Sequence, residues 1–240
     1  GPRADEVARA MAAELDLACP ELPWHAGRDG LAELAAALAI QTASLGKIGL
    51  DLVVLSQSEV GELRAGEGGG SSTMPHKANP VAAEALVSLA RLTSRLSGAA
   101  QEAMLAGHER DGAAWTLEWL SLPQLCVASA AALRHAEAQV ASLRPDPARM
   151  RANMDATGGL MMAEAASFRL AETLPRPQAQ ALVKTACAEA ARSGRPLVEV
   201  LAGTQGAQDI DWPAALDPAA HLGQAPAIAR RFAALVRAQG

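Results

Sequence analysis

Residues 31–55 read LAELAAALAIQTASLGKIGLDLVVL, and the spacing within this stretch decides the fold class. Leu31, Leu38, Leu45 and Leu52 recur every seven residues, with Leu34, Gln41, Ile48 and Leu55 three positions later. A strand alternates with a period of two, whereas a repeat of seven split into three and four marks one face of a long helix in a bundle. The other faces carry Ala35, Ala36, Ala39, Ser44, Gly46 and Gly49, small enough for neighbouring helices to approach on more than one side. A helix that is apolar or small nearly all round is expected to be buried, in its own bundle or in an oligomer. Gln41, on the seam, reads as a polar group that sets the register of the core.

Working outward, residues 66–72 read GEGGGSS, a loop by composition. Asn79-Pro80 then offers an N-cap and a first-turn proline for a second helix over about 81–106. A third long helix is expected over 113–143, bent at Pro123, whose ring removes one backbone hydrogen bond and crowds the preceding turn. Arg144-Pro145-Asp146-Pro147 breaks the pattern and is placed as a domain boundary. Beyond it lie shorter helices: 148–157 ending at Gly158-Gly159, 160–174, 177–193 stopped by Gly194, 196–201 and 225–238. Nothing alternates at period two for long enough to make a sheet. The expectation is an all-α chain, with a long-helix bundle domain over 1–145 that includes a loop at 66–80, and a small helical domain over 146–240.

Composition agrees with helices and excludes several functions. The 240 residues are half hydrophobic, with two Phe, four Trp and no Tyr, so the core must be built from Leu, Val, Ile and Ala. With a net charge of −5 and few aromatic rings there is neither a basic track nor a stacking platform for nucleic acid. Cys19, Cys126 and Cys187 stand far apart, without CxxC or His spacing, and read as buried reduced thiols rather than a disulfide framework or zinc site. No uninterrupted apolar run approaches the roughly 18 residues of a membrane span, and no charged-then-apolar leader opens the chain. A cytoplasmic protein without membrane partners is expected.

The chemistry concentrates in Gly70-Ser71-Ser72-Thr73-Met74-Pro75-His76-Lys77-Ala78-Asn79-Pro80, which combines a glycine hinge, two hydroxyls, an ammonium, an amide and a helix start. The glycine and serine run alone reads as a flexible linker; the continuation does not. Gly-Ser-Ser-x-Met-Pro-x-Lys-x-Asn-Pro resembles the signature loop of the aspartase/fumarase superfamily. Within that superfamily the chain is similar to the bacterial carboxymuconate cycloisomerase family, through Leu22-Pro23-Trp24-His25 with Arg28-Asp29, Ser44-Leu45-Gly46-Lys47-Ile48, Glu59-Val60-Gly61-Glu62, His108-Glu109-Arg110, and Leu216-Asp217-Pro218 with Leu222-Gly223.

The resemblance implies a bond made or broken β to a carboxylate through an aci-carboxylate intermediate, with no metal or organic cofactor and a small polycarboxylate as substrate. It puts Ser71 at the position of the proton-transferring base. A serine hydroxyl is too weak a base unaided, so its alkoxide needs the loop N–H groups and the cation of Lys77. Lys77 and Asn79 fall where the family holds the substrate carboxylate, helped by the positive end of the following helix. Gly68, Gly69 and Gly70 would let the loop close and expel water. Ser72 is counted with the substrate-facing hydroxyls, loop packing being its other reading, and Thr73 and Met74 with loop packing. Ala78 stands where an Arg or Lys is common in the family, which would weaken anion binding.

Arg28 matches an arginine that related lyases use on substrate, although an arginine before a helix also suits the surface. His25, beside a Trp and a Pro, is either a packed residue or a site residue, and Ala26-Gly27 replaces the Thr-Gln common in related cycloisomerases. His108-Glu109-Arg110-Asp111 reads as a solvated charge cluster or, by the resemblance, as the place of a carboxylate-binding arginine, Arg110, with His108 beside it. The superfamily builds each site from three regions on three subunits of a homotetramer. Two of those regions, a Thr/Ser-rich turn and a Thr-His segment, precede the part that this chain resembles, and none of its five histidines follows a threonine. The chain is therefore expected to correspond to the later two-thirds of a family member. The implied activity is interconversion of 3-carboxy-cis,cis-muconate and a carboxymuconolactone in aromatic-acid breakdown. The alternatives are an elimination releasing fumarate, like that of adenylosuccinate lyase, and a non-catalytic scaffold.

Overall fold

A computed structural model describes residues 1–64, 69–70 and 78–239, and the chain divides into two compact units, Gly1–Pro145 and Asp146–Gly240. It is all-α. In the first unit a short helix α1 (Ala4–Glu14) precedes three long ones, α2 (Asp29–Leu55), α3 (Val81–Glu102) and α4 (Gly112–Ser142). Two antiparallel two-residue ladders complete it: β1 (Leu63–Arg64) with β4 (Arg144–Pro145), and β2 (Gly69–Gly70) with β3 (Ala78–Asn79). Asn79 therefore pairs its backbone with Gly69, and the N-cap of α3 is Pro80, without a side-chain cap; the expected Asn79 cap with Pro80 in the first turn is shifted by one residue.

The three long helices pack on one another, and the core clusters give their directions. Ala35 near the start of α2 meets Ala100 near the end of α3 and Leu125 in the first half of α4. At the other end, Leu86 near the start of α3 meets Ala132 and Ala136 of α4, with Leu45 of α2 beside them. The order is up, down, up. Each helix buries a stripe spaced by three and four residues, such as Ala83, Leu86, Thr93, Ser97 and Ala100 on α3, which is the period of one helical face.

On α2 the buried stripe is shifted from the leucine seam and shares only Leu52 with it. Ala32, Ala35, Thr42, Gly46, Gly49 and Leu52 are buried, whereas Leu34 and Ile48 are exposed and Gln41 lies on the exposed side. The small residues form the closest helix contact because only they let α3 approach: a Cβ at Gly49 would lie 2.7 Å from the Ala83 carbonyl oxygen. Gln41 is thus not a core group of this chain. By length and composition α2 is also apolar enough to cross a membrane, and here its exposed side carries the Lys47–Asp51 ion pair while its buried side packs on α3 and α4. The expected 113–143 helix runs without interruption through Pro123.

The second unit holds α5 (Pro147–Asp155), a 3-10 turn at Leu160–Met162, α6 (Ala163–Leu170), α7 (Arg176–Ser193), α8 (Leu197–Ala202), α9 (Trp212–Ala215), a second 3-10 turn at Pro218–His221 and α10 (Ala225–Gln239). Asp146 caps α5 by accepting from the Arg149 N–H, with Pro147 in the first turn. Gly194 ends α7 at φ +71°, a left-handed C-cap that glycine adopts without penalty. The core gathers Leu170, Val183, Ala186, Leu197 and Leu201 around Trp212, which is 1% exposed and donates its Nε1–H to the Ala207 carbonyl at 2.8 Å. The amphipathic α10 leaves Ile228, Phe232 and Leu235 exposed.

The thiols differ from expectation. Cys19 and Cys126 are exposed and Cys187 is half-buried, and all three are free. Burial pushes the Cys187 thiol up from its ordinary value.

Candidate active site

Arg28 sits at the N-cap position of α2, where the chain turns from the irregular 15–28 segment into the helix. Its guanidinium reaches Glu118, two turns into α4, through Nε–Oε2 at 2.8 Å and Nη2–Oε1 at 2.5 Å. The side chains are 14% and 10% exposed, so this is a partly buried, two-pronged ion pair. The Trp24 ring lies 5.3 Å from the guanidinium carbon, within cation–π range. Trp24, His25 and Arg28 line a cleft of about 400 Å³ with Leu22, Pro23 and Cys19, and His25 is exposed at its wall.

His108 and Arg110 lie in the short link between α3 and α4, both exposed, with His108 in the left-handed backbone region at φ +55°. Asp111 shapes this link. One carboxylate oxygen accepts from Ala113 N at 2.8 Å and Ala114 N at 3.2 Å, capping α4, and the other accepts from Gly107 N at 2.9 Å. Backbone donors, that of Gly107 first, hold its carboxyl below the usual carboxylate range. Asp111 is therefore a helix cap rather than part of a loose charge cluster, and it leaves His108 and Arg110 facing solvent.

Asn79 is half-buried, one residue before the cap of α3, so the unpaired N–H groups of that helix open toward it. Ser71, Ser72 and Lys77 lie outside the described residues. Because the bundle runs up, down, up, Arg28, His25, His108 and Arg110 share one end of it while Asn79 occupies the other. The 22 residues of α3 separate Asn79 from the α3–α4 link, a rise of about 33 Å. One chain thus places Arg28 and Arg110 at one end of the bundle and Asn79 at the other.

Glu118 carries the geometry at the Arg28 end and escapes a reading of the sequence, since its partner is 90 residues away. The available hint was a carboxylate between Leu117 and Trp119, the only charged side chain in residues 112–133 of that helix. Among the described residues no group of three His, Cys, Asp or Glu could hold a metal ion.

Comparisons with known proteins agree with this architecture. The family described as lyase matches residues 3–93, and that described as adenylosuccinate lyase C-terminus matches residues 159–232. A 3-carboxy-cis,cis-muconate cycloisomerase from Bradyrhizobium diazoefficiens is 45% identical over 82% of this chain and 44% of its own length, and one from Pseudomonas aeruginosa is 42% identical over 100% and 54%. The crystal structure of 3-carboxy-cis,cis-muconate lactonizing enzyme from Pseudomonas putida superposes with a TM-score of 0.88 at 40% identity, covering 96% of this chain and 52% of that one. The chain spans about half the length of the curated relatives it matches. With its signature loop, its helical bundle and its C-terminal unit all matched, the chain belongs to the aspartase/fumarase superfamily of lyases.

Proposed function

We propose that this chain serves a 3-carboxy-cis,cis-muconate cycloisomerase, in which one carboxylate of the substrate adds across a double bond to close a carboxymuconolactone. The observation that carries the reading is the 42–45% identity to two cycloisomerases of different genera. In the closing direction a C–O bond forms β to a second carboxylate, whose charge passes through an aci-carboxylate before a proton is delivered to the α-carbon. Ser71 is assigned that proton transfer, while Lys77, Asn79 and the first turn of α3 hold the charge as it develops. Arg28 and Arg110 are assigned the remaining carboxylates of the substrate, with Ser72, His25 and His108 beside them.

The split of these residues between the two ends of the bundle supports a site shared between copies in a homotetramer. The apolar residues left exposed, Leu34 and Ile48 of α2 with Val127 and Leu133 of α4, supply the surface for such an assembly. Mixing an inactive Asn79→Ala protein with an inactive Arg110→Ala protein is expected to regain activity if sites are shared; no recovery rejects sharing.

A second reading, elimination releasing fumarate, is favoured by the match of residues 159–232 to the adenylosuccinate lyase C-terminus. The deciding experiment follows absorbance loss on 3-carboxy-cis,cis-muconate beside fumarate release from adenylosuccinate, with mass in solution by light scattering. Consumption of carboxymuconate supports the proposal, and fumarate release alone replaces it with the lyase. A well-folded oligomer inert to both is a scaffold.

A further inference from the structure

We propose that Glu118 is a positioning residue of the site, fixing the Arg28 guanidinium so that its free end faces the Trp24–His25 cleft and takes a carboxylate of the substrate. The inference rests on the reading of Arg28 as a substrate arm and adds to it the group that aims the arm.

The geometry is that of a side-on fork. Glu118 engages Nε and Nη2, which uses two of the five N–H bonds and leaves three on the far end of the guanidinium. Those three have no partner among the described residues, and Arg28 lines the cleft. The Trp24 ring restrains the plane from one face. The backbone of Arg28 is itself held at the N-cap of α2, where its carbonyl accepts from Leu31 N and Ala32 N at 3.1 and 3.0 Å. Fork, ring and backbone together leave the side chain little freedom, so little conformational entropy remains to be lost when a carboxylate binds.

Stability alone does not account for the pair. Ion pairs this well buried are commonly no more stabilising than apolar side chains of the same volume, because both charges lose their water. A shared negative charge also tempers Arg28, so the cleft presents directed N–H donors rather than an unscreened cation.

The test is a kinetic double-mutant cycle on carboxymuconate turnover with the parent protein, Arg28→Ala, Glu118→Ala and the combined variant. Glu118→Ala is expected to raise KM about tenfold or more while kcat falls only a few-fold, because an arm that binds the substrate away from the reacting bond acts on both ground and transition states. Glu118→Gln, which keeps one acceptor, is expected to recover part of the KM. In the Arg28→Ala background Glu118→Ala is expected to change nothing further, since Glu118 acts through Arg28. A merely structural Glu118 would lower the active fraction, and hence kcat, at unchanged KM. If Glu118→Ala loses its helical circular dichroism, Glu118→Gln takes its place in the cycle. An unchanged KM in the Glu118 variants, or an additive cycle, overturns the positioning role while a raised KM in Arg28→Ala keeps Arg28 as the arm. An unchanged KM in Arg28→Ala overturns both, and a parent protein inert to carboxymuconate overturns the functional reading with them.

Discussion

Replacing Gly49 with alanine should destabilise the bundle, although alanine is the better helix former. A Cβ built at Gly49 lies 2.7 Å from the Ala83 carbonyl oxygen and 2.8 Å from the Leu86 Cβ, where ordinary contact begins near 3.4 Å. The first neighbour is backbone and cannot rotate away, so α2 and α3 must part locally by about 0.7 Å, along a face where packing leaves no slack. Overpacking of this kind costs about 1–3 kcal/mol, against about 1 kcal/mol gained in helix propensity. The net is a loss of up to about 2 kcal/mol, which corresponds to a melting temperature lower by up to about 8 °C in a chain of this length. Gly98 of α3 is the internal control: its Cβ would meet nothing within 4 Å. Gly98→Ala should therefore gain about 0.5–1 kcal/mol. Thermal melts followed by far-UV circular dichroism read both variants. The reasoning is refuted if Gly49→Ala melts at or above the parent, or if Gly98→Ala falls as far as Gly49→Ala does.

Asp111, held by its backbone donors below the ordinary carboxylate range, contributes stability that is present above its unfolded pKa and is lost as pH falls through its folded value. The gap in melting temperature between the parent and Asp111→Asn is thus expected to shrink on acidification, and a gap constant from neutral to strongly acidic pH would count against the assignment. Trp212→Phe removes the donor to the Ala207 carbonyl and opens space in the core of the second unit, for an expected loss of about 2–4 kcal/mol by chemical denaturation; a loss below about 0.5 kcal/mol would show that the site collapses without penalty. Ser71→Ala is expected to abolish turnover while keeping the parent's circular dichroism and oligomer mass, and near-normal turnover would sink its role in proton transfer.

The helices were legible because their signals are local. Alanine and leucine content, the seven-residue repeat, Pro147 after Asp146 and Gly194 after Ser193 each act within a turn or two of themselves. The choice of buried face on α2 was not legible, because hydrophobicity marks every face that can be covered without saying which partner covers it. Leucines mark the apolar surface, whereas the closest approach goes to Ala32, Ala35, Gly46 and Gly49, where volume rather than transfer free energy decides. The same division holds at the site. The Ser71–Pro80 motif is contiguous and readable, while the Arg28–Glu118 fork joins elements 90 residues apart and exists only once α2 and α4 run side by side. Asn79 misled for a related reason: its side chain suits a cap, but the ladder with Gly69 claims its backbone and passes the cap position to Pro80.

The bundle's direction and its exposed faces bear on one question. With α2 and α4 parallel and α3 antiparallel, the cations Arg28 and Arg110 stand at one end and Asn79 at the other, so bending a loop cannot unite them across about 33 Å of helix. A second copy lying antiparallel against the first would place the Asn79 end of one beside the Arg28 end of the other, and by two-fold symmetry would do so twice. The residues that such packing would cover are among those left exposed in the single chain, including Leu34, Ile48 and Val127. In such an assembly the exposed apolar faces and the divided constellation would be two consequences of one arrangement, α2 using its small-residue face within its own chain and its exposed Leu34 and Ile48 against the next.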